Sequence, residues 1–236
     1  MSNVNVTDRA AVRLRGYYAI FDVAAGTGGG VGGGGDEGGA APLEERARAL
    51  LAAGPCCLQL RAKHASAGEL CAMGARLAAL CRTAGVPFCV NDRLDVALVV
   101  GADVVHLGQD DLPLADARHI VAAMAARDGR RPLIGVSTHN LAQARAAAAD
   151  SADYIGVGPV FATATKRNPD PEIGIDGLAL ICRAVNVPVV AIGGITPAST
   201  ALCARAGAAA VAVVAAVAQA PDPTSAGRAV NAAFRL

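Results

Sequence analysis

The stretch that decides the fold is residues 91–111, NDRLDVALVVGADVVHLGQDD. It carries polar groups at both ends, with Asn91 and Asp92 at the front and Asp110 and Asp111 at the back. Two apolar runs, separated by a Gly-Ala break, lie between them. Because an unpaired charge is costly to bury, the polar ends must lie at a surface or a site. The stretch predicts one helix between two strands, with carboxylates at the mouth of each strand.

The same alternation extends outward along the whole chain. Short β-branched runs predict eight strands, at residues 17–22, 56–60, 88–90, 104–107, 133–136, 154–157, 189–192 and 210–213. Between them apolar residues recur at helical spacing, as at Leu70, Met73, Leu77 and Leu80. Eight strands, each followed by a helix, are the number that closes a barrel. We therefore predict an α/β fold, a TIM (β/α)8 barrel forming a single domain over residues 1–236, with an open doubly wound sheet as the alternative.

Composition limits the class of protein and its partners. The formal net charge is +1, so the chain lacks the excess of basic residues that binds nucleic acid, and we expect no nucleic-acid partner. The longest apolar run, residues 207–218, is shorter than the about 20 residues that cross a bilayer, so we expect no membrane association. The N-terminus lacks the apolar core of a signal peptide, and the seven cysteines include no C-x-x-C pair. These features predict a soluble cytoplasmic protein.

One segment does not follow the alternation of strands and helices. Residues 26–39, GTGGGVGGGGDEGG, form a low-complexity tract, and we predict a flexible Gly-rich insertion over residues 26–40. A phosphate-cradling loop is disfavoured because no Lys-Ser or Lys-Thr follows. Since the tract follows the first strand, a role as a lid over the site stays open.

Polar residues cluster where the predicted strands end, which is where barrels build their sites. Carboxylates at neighbouring strand ends, Asp92 and Asp111, suit Mg²⁺, which takes one or two carboxylates besides water and phosphate oxygens. The cationic side chains of this end suit a polyanionic ligand; they are Arg61, Lys63 and Lys166. A second phosphate is suggested by backbone N–H groups after strands seven and eight, at Gly193, Gly194, Val214 and Ala215. The pattern predicts two phosphorylated substrates, or one large one, with a metal at a diphosphate.

Simpler interpretations exist for each residue taken alone. Asp92 precedes a helical run and could be its N-cap. Arg61 and Lys63 could face inward in the barrel layers or form weak surface ion pairs at the rim. His106, between two apolar residues, is better explained as a hydrogen-bonded rim histidine than as a metal ligand. The other histidines lack zinc-ligand spacing. The shared placement of these residues at one barrel end favours the functional interpretation.

These residues carry a family resemblance. The segments QLRAK, NDRLDVALVVGADVVHLGQDDLP, IGVSTHNLAQA, ADYIGVGPVFATATK and VPVVAIGGI occur in order and together resemble the thiamine phosphate synthases. The match runs over residues 58–220, and GYYAIFD near the N-terminus resembles the family loosely. The resemblance implies that the chain joins hydroxymethylpyrimidine diphosphate to hydroxyethylthiazole phosphate. It also implies Mg²⁺-assisted departure of diphosphate and attack of the thiazole nitrogen on a pyrimidine carbocation.

The resemblance also implies roles for individual residues. Arg61, Lys63 and Lys166 would be the catalytic cations. The pyrimidine diphosphate would be held by Gln59, Arg61, Lys63, Asn91, Ser137 and Lys166, and Mg²⁺ by Asp92 and Asp111. The thiazole phosphate would be held by Thr163, Thr165 and Gly194, with backbone help from Val214 and Ala215. A homodimer follows only from analogy with the family.

Departures from the family pattern leave other functions open. Ala62 stands where the family often has Glu, and Ala215 stands where Ser is usual. Ala162 and Ala164 replace prolines around the paired threonines. The alternatives are a thiazole tautomerase of the same superfamily, a non-catalytic barrel that binds a thiamine precursor, or another phosphate-binding barrel such as an epimerase. The complete set of Lys and metal-binding Asp residues favours the synthase.

Overall fold

Eight parallel strands pair in chain order and close into a barrel, with the first strand hydrogen-bonded to the last. The computed structural model describes residues 13–23, 42–163 and 170–234. The strands are β1 Gly16–Asp22, β2 Cys57–Arg61, β3 Phe88–Asn91, β4 Val104–Leu107, β5 Leu133–Thr138, β6 Tyr154–Val157, β7 Val189–Ile192 and β8 Ala210–Val213. The predicted TIM barrel is confirmed, and the open doubly wound sheet is wrong. The predicted bounds of β4, β6, β7 and β8 are correct at both ends, and those of the other strands differ by one or two residues.

Helices follow the strands and cover the outside of the barrel. The described helices are α1 Leu43–Leu51, α2 Ala67–Ala84, α3 Leu94–Val100, α4 Leu114–Asp128, α5 Leu141–Ala149, α6 Gly174–Ala184, α7 Thr200–Arg205, α8 Ala215–Ala218 and α9 Pro223–Ala232. Helix α2 begins with a capping box between Ser66 and Glu69 and ends at Gly85 in the left-handed conformation. No helix in the described ranges is long and apolar enough to cross a membrane.

Alternation along the strands separates two apolar layers. On β1, Tyr17, Ala19 and Phe21 belong to the layer between strands and helices, and Tyr18 and Ile20 belong to the layer inside the barrel. Adjacent residues of a strand point to opposite faces, so this division follows directly from the sequence. The cysteines behave as small core residues: all seven are free thiols, and four of them are buried.

Two glycines make room for large polar side chains inside the barrel. Gly135 pairs with Tyr154 across β5 and β6, and a Cβ at Gly135 would overlap the Tyr154 ring. A Cβ at Gly156 would lie 3.1 Å from the imidazole of His106. The barrel interior therefore holds a tyrosine and a histidine directly beneath the ends of the strands.

Candidate active site

The carboxyl ends of the strands surround a cavity of about 510 Å³. Seven of the predicted site residues line it: Gln59, Arg61, Lys63, Asn91, Asp92, Asp111 and Ser137. They come from β2, β3 and β5 and from the turns after β2, β3 and β4. The prediction that polar residues from separate strand ends converge at one mouth of the barrel is confirmed by this arrangement.

A second cavity of about 420 Å³ adjoins the first. Four other predicted residues line it: Thr163, Gly194, Val214 and Ala215. Both cavities are lined by Arg61, Ser137 and His139, so a shared wall separates two compartments. The predicted residues thus divide into a group that contains the charged side chains and a group of uncharged residues. Thr165, Lys166, Ala164 and the predicted insertion at residues 26–40 lie outside the described residues.

Asp92 and Asp111 form a carboxylate pair on the first cavity. Burial and a hydrogen bond with the Asp111 carboxyl raise the pKa of Asp92 to about 6, while Lys63 opposes the rise. The Lys63 ammonium lies 3.5 Å from Asp92, and Asp111 accepts a hydrogen bond of 2.6 Å from the Gly108 N–H. Two carboxylates in contact repel each other unless a proton or a cation lies between them. The pair therefore favours a cation.

The backbone of Asp92 aims its side chain into the cavity. Asp92 has a φ of 64°, in the left-handed region that non-glycine residues rarely occupy. Its N–H donates to the carbonyl of His106 on the neighbouring strand, at 2.7 Å. Helix α3 has Arg93 at its N-cap position and no side-chain cap hydrogen bond. The interpretation of Asp92 as an N-cap is therefore wrong.

Arg61 is held by a residue that the sequence analysis did not select. Its Nη1 lies 2.6 Å from Oδ1 of Asp22, the last residue of β1, and both side chains are about a quarter exposed, at 23% and 25%. Asp22 and Arg61 are register partners across β1 and β2. Their pairing places Arg61 on the wall shared by the two cavities. The position of Asp22 at a strand end was the signal that could have found it.

His106 lies on the floor of the first cavity in a chain of hydrogen bonds. Its Nε2 is 2.9 Å from the Ser137 hydroxyl, and its Nδ1 is 3.0 Å from the Tyr154 hydroxyl. Burial lowers the pKa of His106 to about 4, so the ring is neutral at pH 7. The prediction of a hydrogen-bonded histidine is confirmed, but its predicted place at the rim is wrong, because the ring lies on the buried floor. The chain continues through Tyr18 to Gln59, and both tyrosines were missed because aromatic residues in strands are usually core.

The second cavity is built on two glycines after β7. Gly193 and Gly194 have φ angles of 93° and 63°, which favour glycine. A Cβ at Gly193 would lie 2.6 Å from Pro159, and one at Gly194 would overlap the carbonyl oxygen of Ala162. The Phe161 N–H donates to the Gly193 carbonyl at 3.1 Å, so the two loops lie in direct contact. Because Gly193 and Gly194 carry no side chains, their loop presents a backbone surface of the kind that binds phosphate groups, and we call it the glycine cradle.

His139 and Asp170 lie at the boundary of the cavities and were also missed. His139 Nδ1 is 2.6 Å from the Gly158 carbonyl and 3.5 Å from an Asp170 carboxylate oxygen. The carbonyl contact requires that His139 carries a proton on Nδ1, because a carbonyl oxygen only accepts. No spacing rule links His139 to Asp170, since strand β6 lies between them in the sequence.

Comparison with known proteins places this arrangement in one family. Residues 33–217 match the family model for thiamine monophosphate synthase. Over 184 residues the chain is 48% identical to a thiamine-phosphate synthase of Chloroflexus aurantiacus, covering 78% of this chain and 82% of that one. A thiamine-phosphate synthase of Moorella thermoacetica is 44% identical, with coverage of 79% and 86%.

Solved structures give the same result. A thiamine phosphate pyrophosphorylase from Pyrococcus furiosus superposes with a TM-score of 0.78 at 31% identity, covering 96% of this chain and 98% of that one. A 3-hexulose-6-phosphate synthase shares the fold alone, with a TM-score of 0.61 at 17% identity and coverage of 93% and 99%. The family model, the sequence relatives and the Pyrococcus structure agree, and this chain belongs to the thiamine monophosphate synthase family.

Proposed function

We propose that this chain is a thiamine-phosphate synthase that condenses hydroxymethylpyrimidine diphosphate with hydroxyethylthiazole phosphate, giving thiamine phosphate and diphosphate. The observation that carries the proposal is the pair of adjoining cavities, one lined by carboxylates and cations and the other by a glycine cradle. The reaction needs a site for a diphosphate beside a site for a monophosphate. Membership of the family supports the same assignment.

The first cavity suits the pyrimidine diphosphate with Mg²⁺. Asp92 and Asp111 offer hard oxygen ligands, and a cation between them would offset the burial and the proximity to Asp111 that raise the pKa of Asp92. The described residues contain no cluster of three or more His, Cys, Asp or Glu side chains, so water and phosphate oxygens would complete the coordination. This incomplete protein shell is typical of Mg²⁺ bound with a phosphorylated substrate. When bound, Mg²⁺ neutralises charge on the departing diphosphate.

The cations of the cavity would stabilise the leaving group. As the bond between the pyrimidine methylene carbon and the diphosphate oxygen breaks, its electron pair leaves with the diphosphate. Arg61 and Lys63, which line this cavity, would neutralise this charge, and Asn91 would donate to a phosphate oxygen. Lys166 is assigned the same role as Arg61 and Lys63 by family resemblance. Loss of one such group costs about 3 kcal/mol, or about a hundredfold in rate.

The second substrate needs no catalytic base. The thiazole nitrogen already carries a lone pair, which forms the new bond to the pyrimidine carbocation without loss of a proton. The protein has to hold this nitrogen in line with the methylene carbon. We assign the thiazole phosphate to the cradle at Gly194, with Thr163, Thr165 and the backbone of Val214 and Ala215. Ser137, on the shared wall, would orient the pyrimidine.

The test is the formation of thiamine phosphate from the two purified substrates, with Mg²⁺ or with excess chelator. We expect Mg²⁺-dependent product from the wild type and at least about a hundredfold loss for Asp92→Asn. Asp95→Asn is the matched control, because Asp95 is 64% exposed on α3 and pairs only with Arg93 among the described contacts. No product, with thiazole phosphate still bound tightly, would refute the proposal and favour a tautomerase or a non-catalytic binding protein.

Two further assignments accompany the proposed function. We place the protein in the cytoplasm, because all seven cysteines are free thiols. We also propose a homodimer, by analogy with the family, and sedimentation equilibrium at micromolar concentration distinguishes it from a monomer.

A further inference from the structure

The wall that the two cavities share has a polar half and an apolar half. The apolar half consists of Ile20, Ile192 and Ala212, and we call it the apolar strip. Ile20 lies on β1, Ile192 is the last residue of β7, and Ala212 lies on β8. Because β8 lies between β7 and β1 in the closed barrel, the three side chains come from consecutive strands. The apolar strip therefore forms one side of the boundary between the cavities.

Aliphatic side chains reach the first cavity on this side of the barrel. Among the residues that the structure describes, Val190 on β7 is the only aliphatic residue lining the first cavity besides the apolar strip. Ile20 and Ala212 are each 4% exposed and belong to the apolar layer inside the barrel, and Ile192 packs against that layer. The apolar strip is thus a local exception in a cavity whose other described side chains are polar or aromatic.

The shared wall is also where the new bond has to form. With one substrate in each cavity, the two reacting atoms must come within about 3–3.5 Å of each other. The methylene carbon of the pyrimidine and the thiazole nitrogen therefore meet at the shared wall, beside the apolar strip.

Water competes with the thiazole for the carbocation. When water captures it, the water oxygen bonds to the methylene carbon, one proton passes to solvent, and the products are the pyrimidine alcohol and diphosphate. The pyrimidine substrate is then consumed without forming thiamine phosphate. A water molecule inside a protein needs about two to four polar partners, and aliphatic side chains supply none. Water is therefore poorly held on the side of the carbon that faces the apolar strip.

The polar half of the shared wall is engaged by other groups of the protein. Arg61 pairs with Asp22, and the Ser137 hydroxyl lies 2.9 Å from Nε2 of His106. His139 Nδ1 lies 2.6 Å from a backbone carbonyl oxygen. These contacts reduce the number of polar groups that could hold a water molecule beside the reacting carbon.

We propose that the apolar strip selects the thiazole over water as the nucleophile, by keeping water away from the methylene carbon. Exclusion of water from a site protects reactive intermediates from hydrolysis. The residues of the strip are thus specificity-determining, although their side chains can bind neither phosphate nor metal. This proposal rests on the proposed function, because it assumes that the pyrimidine diphosphate and the thiazole phosphate occupy the two cavities.

The test replaces Ile192 with two residues of nearly the same shape. Ile192→Thr and Ile192→Val both keep a branched Cβ and differ in a hydroxyl against a methyl group. Each protein receives both substrates, with the thiazole phosphate saturating, so that weaker thiazole binding does not affect the result. The readout is the ratio of pyrimidine alcohol to thiamine phosphate. The reaction is run in water labelled with heavy oxygen, because capture of the carbocation labels the alcohol, whereas attack at phosphorus leaves the original oxygen on carbon.

We expect the ratio in Ile192→Thr to exceed that in Ile192→Val by about three- to tenfold, the factor that one additional hydrogen bond to water contributes. Ala212→Ser places a hydroxyl on the neighbouring strand and should also raise the ratio above that of the wild type, which keeps the test decisive if Ile192→Thr does not fold. Equal ratios in Ile192→Thr and Ile192→Val, or an alcohol without heavy oxygen, would overturn the inference. A wild type that makes no thiamine phosphate would instead refute the proposed function.

Discussion

Asp22→Asn should slow the enzyme by releasing Arg61, although Asp22 was not selected from the sequence. The substitution keeps the size of the side chain and removes the charge that faces Arg61 at 2.6 Å. A hydrogen bond to a charged group contributes about 1.5–3 kcal/mol. Because each side chain of this pair is about a quarter exposed, at 23% and 25%, solvent screening lowers the figure to about 1–2 kcal/mol.

This loss translates into a fall of about 5- to 30-fold in kcat/KM if Arg61 has to be held in place for the diphosphate. The assay is steady-state formation of thiamine phosphate, with the pyrimidine diphosphate varied at saturating thiazole phosphate. Glu44→Gln is a matched control: it breaks the Arg76–Glu44 pair, whose two charged groups lie 2.5 Å apart on the protein surface far from both cavities.

The sign of the effect is what tests the reasoning. If Asp22 only neutralised Arg61, its removal would free the guanidinium to bind the diphosphate more tightly, and kcat/KM would rise. If Asp22 positions Arg61, kcat/KM falls and thermal unfolding changes little. A rate for Asp22→Asn equal to or above the wild-type rate, with Glu44→Gln unchanged, would refute the positioning argument.

Three further predictions concern the cradle, the barrel interior and acid stability. Gly194→Ala should raise KM for the thiazole phosphate at least about tenfold, because the added methyl would overlap the Ala162 carbonyl at a φ of 63°; unchanged KM would contradict the cradle. Gly135→Ala should lower the free energy of unfolding in urea by about 1–3 kcal/mol, since the methyl would overlap the Tyr154 ring. His106 has a pKa of about 4 in the folded protein, below its ordinary value of 6.5. Because the unfolded chain therefore binds a proton more readily, the free energy of unfolding should fall as the pH drops from 6.5 to 4, by up to about 3 kcal/mol. Asp92, with its pKa raised to about 6, has the opposite effect on the free energy of unfolding in this pH range. The effect of His106 alone is therefore measured as the difference between wild type and His106→Gln, in urea unfolding followed by circular dichroism.

The strands could be predicted closely because β-branched runs in this chain are bounded by clear breaks. The site followed from the same prediction, since a parallel barrel brings all strand ends to one mouth. Asn91, Asp92 and Asp111 could therefore be grouped from the sequence alone. What the pattern left open was local. Asp92 before a helical run is typical of an N-cap, and it took the structure, with Arg93 at the N-cap position and Asp92 at a φ of 64°, to show that it is not one.

The missed residues share a different physical reason. Tyr18 and Tyr154 lie on β1 and β6, far apart in the sequence, and their contact exists only because the barrel closes. Strand periodicity places each of them inside but does not distinguish a packed ring from a hydrogen-bonded one. His139 follows β5 and Asp170 lies beyond β6, and neither periodicity nor spacing predicts the contact between them. Long-range polar contacts were thus the part of the site that the sequence pattern could not supply.

The depth of each residue in the barrel explains why a neutral side chain lies at the bottom of the first cavity and charged side chains lie nearer its rim. Along one edge of the cavity, Gln59 is 3% exposed, the Arg61 side chain 23% and the Lys63 side chain 50%. The cost of removing a charge from water rises with burial, so a neutral amide occupies the deepest position. Arg61 at intermediate depth is stabilised by Asp22, and Lys63 at the rim needs only the looser contact with Asp92 at 3.5 Å. Recognition of the neutral pyrimidine is therefore expected at the floor and neutralisation of the diphosphate at the rim, because only the rim can hold several charges at low cost.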